Sequence, residues 1–209
     1  MKGTPKEYEC DHILIVEGYS DLLFCAAFLR HLRRLDGVFI KVFDGKQKIL
    51  KGDLLRTYLS ERTLAEKKSI GVLLDADDNP SGAVAAISSR LKEITGCELF
   101  EGVWQDGSPR LGFFIAPDPS TAGEIETLTW NAFPADSKHS EMKTAVLEYL
   151  QKMDAIGWKA HSPDKAKIGT FLSAAYDDDP RLGPGAREKL FDFDAPGFTR
   201  LRHFLEGLR

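Results

Sequence analysis

Apolar residues in this chain gather into short runs that stop on an acid or a glycine, and each run is followed by a stretch with helical spacing. "HILIVEG" (12–18) is such a run, and "SDLLFCAAFLRHLRRL" after it repeats its apolar positions every three to four residues. "VFIKVFDGK" (38–46) is a second β-branched and aromatic run, ended by Asp-Gly. The following "KILKGDLLRTYLSERTLAEKK" reads as helix with one polar face. "SIGVLLDADD" predicts a third strand, and "GAVAAISSRLKEIT" its helix. This alternation predicts a largely parallel sheet covered by helices, an α/β fold.

The next segment holds two runs, about 98–105 and 111–116, around the turn-rich "DGSPR". A hairpin adding antiparallel character at one edge is expected there. From Gly123 onward the pattern is helical: "EIETLTWNAF", "SEMKTAVLEYLQKM", "DKAKIGTFLSAAY" and "FTRLRHFLEGL". "DDDPRLGPGA" (177–186) reads as loop from its Pro and Gly content. The expected plan is an α/β core over 1–135 and a helical C-terminal extension over 136–209 packed on it.

Composition narrows the class. With 209 residues and 43% hydrophobic content the chain can bury a proper core. It has no apolar run of the roughly 18 residues that a membrane span needs, and its polar start "MKGTPKEYEC" lacks a signal-peptide core. A cytoplasmic globular protein without a membrane partner is expected. Cys10, Cys25 and Cys97 are far apart and show no paired metal spacing, so they predict neither a disulfide framework nor a zinc knuckle. The net charge of -4 argues against tight, sequence-blind coating of nucleic acid, which depends on Lys and Arg at phosphates. Basic stretches are local: "RHLRR" (30–34), "KQKILK" (46–51) and the tail with Arg200, Arg202 and Arg209.

The chemistry on offer is acidic. Residues two apart in a strand point to one side, so Asp75 and Asp77 are expected to aim together from the carboxyl end of the third strand, where open α/β sheets place ligands. Glu17 ends the first strand in the same way. If those strands are neighbours, the carboxylates converge, and converging carboxylates call for a hard cation with oxygen ligands, Mg2+ or Mn2+. Glu126 could add a fourth carboxylate, or serve, like Glu124, as an ordinary first-turn acid. Asp21 reads as a helix-capping acid, and Asp78 and Asn79 as loop formers. His12 reads as a partly buried or capping histidine. His161, Lys165 and Lys167 read as a solvated helix start. Lys46, Lys48 and Lys165 are the cations available to flank an anionic substrate.

"ILIVEGYSD", "IGVLLDADD" and "GFFIAPDPSTAGEIETL" together resemble the motifs of the toprim superfamily, the catalytic domain of topoisomerases, bacterial primases, recombination mediators and the overcoming-lysogenization-defect nucleases. The likeness is nearest to small stand-alone toprim-like proteins with a Gly-x-x-Glu segment and a late "DKAK" helix. It implies a Rossmann-like toprim core and divalent-metal-dependent phosphodiester chemistry on DNA or RNA, of the nuclease type. By position it makes Glu17 the general acid or base, and Asp75 and Asp77 the magnesium ligands with Glu17 and Glu126. Gly18 would let backbone approach a bound phosphate, with Lys46 and Lys165 as further substrate contacts. Topoisomerases need a nucleophilic tyrosine and strand-passage domains, and primases need further domains, for which this chain has no room. Its acidic balance implies that a second copy or another protein helps hold nucleic acid.

Other readings fit less well. Receiver domains pair such an acidic strand end with a lysine after strand five, and residues 93–137 contain no lysine. Haloacid-dehalogenase phosphatases place Thr or Val where this chain has Asn79. The alternative from another class is a non-catalytic module of toprim fold that holds a metal or nucleotide for regulation or interaction.

Overall fold

In the computed structural model, which describes residues 6–209, four strands form one parallel sheet in the order β2-β1-β3-β4. They are β1 (His12–Val16), β2 (Val38–Val42), β3 (Ser69–Asp75) and β4 (Arg110–Ala116). The register pairs Ile13 with Phe39 and Ile70, and Asp75 with Ala116. Residues 1–5, the first half of the polar start noted above, lie outside the described residues.

The period of two sorts the strand residues onto two cores. Ile13, Ile15, Ile70, Val72, Leu74, Phe113 and Ile115 face one side. There they meet α2 (Lys46–Leu50), α3 (Leu54–Tyr58) and α5 (Pro80–Thr95) through Ile49, Leu55 and Ile87. Leu14, Val16, Leu73, Phe114 and Ala116 face the other side. They are covered by α1 (Tyr19–His31), α6 (Ile125–Ala132), α8 (Pro163–Ala175), α9 (Leu182–Arg187) and α10 (Thr199–Glu206). Phe24, Phe28, Phe193 and Phe198 interlock in that second core, with Phe28 and Phe193 stacked at 4.4 Å between centroids. The long α7 (Ser137–Ala155) buries only Val146. No helix among the described residues is long and apolar enough to cross a membrane.

Three expectations change. Within the stretch read as loop over 177–186, residues 182–186 form most of the short, buried α9, packed on α1 with Gly183 against Ser20. The stretch read as one helix over 48–68 is three short ones: α2, α3 and α4 (Glu61–Glu66). Gly52, with φ +73, separates the first two, and Ser60 caps α4 by accepting from the Thr63 N–H. The edge hairpin is reduced to one antiparallel bridge, Gln105 to Leu111. Residues 98–105 cannot run as a strand because Gly102 takes φ +73 and Trp104 leaves the edge. The Trp104 indole lies over Gly71 and Gly112, which are register partners on β3 and β4, and stacks on Phe204 of α10 at 5.1 Å. A Cβ on Gly112 would stand 3.0 Å from that indole, so the bare backbone is what admits it.

Candidate functional site

The apolar runs of β1 and β3 end side by side at the carboxyl edge of the sheet, and the acids follow directly. Glu17 Oε1 accepts the Asp75 N–H at 3.0 Å, which joins the two strand ends. Asp75 Oδ1 accepts the Ile125 N–H at 2.9 Å, at the first turn of α6. A helix N-terminus suits a carboxylate through its free N–H groups and dipole.

Electrostatics here run one way. Burial pushes Asp75 well above the usual carboxylate range, and Asp21, Glu17, Glu126 and Glu124 add repulsion in the same direction. Burial raises Glu17 to about 7, against the opposing pull of the Asp75 N–H and the Lys46 ammonium. Burial likewise takes Glu126 to about 7, although Lys165 pulls it down; its residue is only 6% exposed. Asp21 is raised by burial too. Two ammonium groups oppose this charge: Lys46 from α2, and Lys165 from α8, which is ion-paired with Glu124.

Asp77 departs from its expected direction. The strand ends at Asp75, and Asp77 takes φ +51, so the alternation that would have aligned the two carboxylates is broken. Its backbone is held by two hydrogen bonds with Gly123, Asp77 N–H to Gly123 O at 2.9 Å and Gly123 N–H to Asp77 O at 2.8 Å. Its carboxylate, half exposed, accepts from Lys46 Nζ at 2.7 Å. Gly123 itself takes φ +137, and a Cβ there would strike Thr127 Oγ1 at 2.3 Å, so glycine is needed at this crossing.

Gly18 is extended, with its N–H donated to Asp21 Oδ2 at 2.9 Å. Asp21 is thus the expected cap. It also stands among the acids that face Asp75, a role its position in the first turn of a helix conceals. Glu124 is the second such residue: Ser162 Oγ donates to it at 3.1 Å, and it joins the start of α6 to the start of α8. Thr127 donates to Asp164, which is paired with Lys167 at 2.6 Å, completing that junction. Asn79 caps α5 by accepting the Gly82 N–H at 3.0 Å, as a loop former should. His12 is half-buried and hydrogen-bonded to Ser69 Oγ at 2.9 Å, away from the acids at the other end of β1.

An open cleft of about 580 Å³ lies over this edge, lined by Asp77, Asp78, Glu124, His161 and Lys165. His161 and Lys165, read as a solvated helix start, therefore border the acids. Among the described residues, no group of three or more His, Cys, Asp or Glu side chains stands close enough together to cage a metal ion. The donor chemistry nonetheless fits a hard divalent cation: carboxylate oxygens, partly or fully buried, whose mutual repulsion a cation would relieve.

Comparison with known proteins places the fold. The C-terminal region of the Burkholderia pseudomallei OLD protein is similar over 96% of this chain and 97% of that one, with 16% identity and a TM-score of 0.53. The C-terminal region of the Xanthomonas campestris pv. campestris OLD protein is similar over 95% and 96%, with 14% identity and a TM-score of 0.51. No curated protein sequence matches. The chain thus shares the α/β fold of the OLD C-terminal regions, and, since the family model matches residues 11–209, it belongs to the family described as "Protein of unknown function (DUF3226)".

Proposed function

We propose that this protein carries out divalent-metal-dependent phosphodiester chemistry on nucleic acid, as a nuclease of the toprim type. One observation carries the reading: Asp75 is buried at the end of a central strand, where burial first and four neighbouring acids after it raise its carboxyl, an arrangement that a bound cation would relieve. The overall likeness to OLD C-terminal regions and the toprim-like motifs support it.

In this reading Glu17, Asp75 and Glu126, with Asp77, hold Mg2+ or Mn2+. When bound, the ion would neutralise charge developing on a phosphoryl oxygen and orient the attacking group. Burial raises Glu17 to about 7 while no ion is bound, and beside the ion it would be the group that gives or takes a proton, the role of a general acid or base. Lys165 borders the cleft and can meet a phosphate there. The buried strand ends behind the acids exclude water from one side of the crevice. The acidic net charge favours a second reading, a metal- or nucleotide-binding module without turnover.

A nicking assay on plasmid and single-stranded DNA and RNA, with Mg2+ and with Mn2+, separates the two. Cleavage that is lost in Glu17→Gln and Asp75→Asn is expected. Metal binding without cleavage of any substrate supports the module instead, and absence of both overturns the metal-dependent reading.

A further inference from the structure

Lys46 is delivered to the acids by an unusual piece of backbone. After β2, the Phe43 N–H bonds to Val16 O at 3.1 Å and the Gly45 N–H to Glu17 O at 2.9 Å, so the loop is stitched onto the end of β1. Asp44 and Gly45 then take φ +57 and φ +119 in succession, and Lys46 follows as the first residue of α2. Its ammonium donates to the Asp75 carbonyl at 2.5 Å and to Asp77 Oδ2 at 2.7 Å. The lysine side chain is 14% exposed, far less than a lysine on a solvated face, whereas Lys48 turns away to Asp44 and is 52% exposed. The neighbouring Glu17 senses the same ammonium.

A hard divalent ion and an ammonium seek the same oxygens, and they cannot share them at contact distance. Resting on the metal-dependent reading above, we propose that Lys46 is a tethered counter-cation: anchored on the Asp75 backbone carbonyl, it occupies Asp77 Oδ2 while no metal is bound, and surrenders that carboxylate when a divalent ion enters. Metal loading is therefore a competition against an internal ligand, which weakens affinity and frees the ammonium toward the cleft at the moment the site becomes charged. Among the described residues no acid cage stands ready, and Asp77, turned by its positive φ, gives its carboxylate to Lys46.

Titration of the full chain with Mn2+, read by loss of the free-ion EPR signal, tests this without any turnover. Lys46→Gln is expected to bind Mn2+ several-fold more tightly than the wild type, to melt at a lower temperature in EDTA, and to gain more in melting temperature on adding Mn2+. An independent measurement uses the unaltered protein: an amine-reactive ester followed by peptide mass spectrometry. Saturating Mg2+ should raise the labelling of Lys46 several-fold and leave Lys48 unchanged. Equal or weaker Mn2+ affinity in Lys46→Gln, or Lys46 labelling that ignores saturating Mg2+, overturns the counter-cation role while the metal site stands. Absence of binding in both proteins overturns that role and the metal-dependent reading together.

Discussion

The two ends of the parallel sheet handle charge in opposite ways. At the amino end of the strands, Lys67 is 7% exposed, and its ammonium donates to the carbonyls of Glu7 at 2.8 Å and Cys10 at 2.7 Å. Lys68 pairs with Asp11 at 2.6 Å, which holds that carboxyl below its usual range. At the carboxyl end, Glu17, Asp75 and Glu126 are all raised by burial. One end gives its buried or surface charge a partner, and the other crowds like charges together. A fold keeps buried, mutually repelling carboxylates when they serve something outside the fold.

Substitutions at the carboxyl end give the largest expected effects and can break this contrast outright. Glu17→Gln should lower a metal-dependent nicking rate by about 10²–10⁴-fold, the span typical of a lost general acid or base. Asp75→Asn should abolish nicking and also raise the melting temperature in EDTA, because an amide can still accept the Ile125 N–H without adding charge. A fall in melting temperature would mean that the carboxylate supports the fold. Lys67→Met probes the other end. It leaves two backbone carbonyls without their donor, and a loss of about 1–3 kcal/mol in urea denaturation is expected, with Mn2+ affinity unchanged.

The pH dependence sharpens the same comparison. Glu17 and Glu126 have pKa values raised to about 7, so the folded chain holds their protons more tightly than the unfolded one. Their contribution to stability is full below about 4.5, the ordinary glutamate value, and is lost as pH rises through about 7. In EDTA, the urea midpoint should therefore fall between pH 5 and pH 8, and saturating Mg2+ should flatten the slope. The smallest effect is expected from Asp11→Asn, whose partner Lys68 is exposed: no resolvable change in midpoint at pH 7.

The strand ends were legible because an apolar run that stops on an acid marks both a buried strand and its edge, as at Glu17 and Asp75. The parallel α/β class followed from strand and helix alternating. The direction of Asp77 was hidden by its positive φ, which no two-residue period reports. Asp21 and Glu124 were hidden differently, since a first-turn acid satisfies the helix whether or not it also faces another carboxylate. The run over 48–68 contained enough helical spacing to mask Gly52, where tertiary packing turns the chain. The hairpin at 98–105 failed because Trp104 is recruited from the edge into the core by a helix about a hundred positions later, a contact beyond any local pattern.

That indole donates from Nε1 to Phe204 O at 2.9 Å and touches the glycine backbone beneath it, so it is fixed from both sides. With Trp130 and Trp158 replaced by phenylalanine, its emission colour becomes a gauge of whether the last helix is seated. A red shift at low urea, before the main transition, would reveal the tail peeling away while the rest of the chain stays folded.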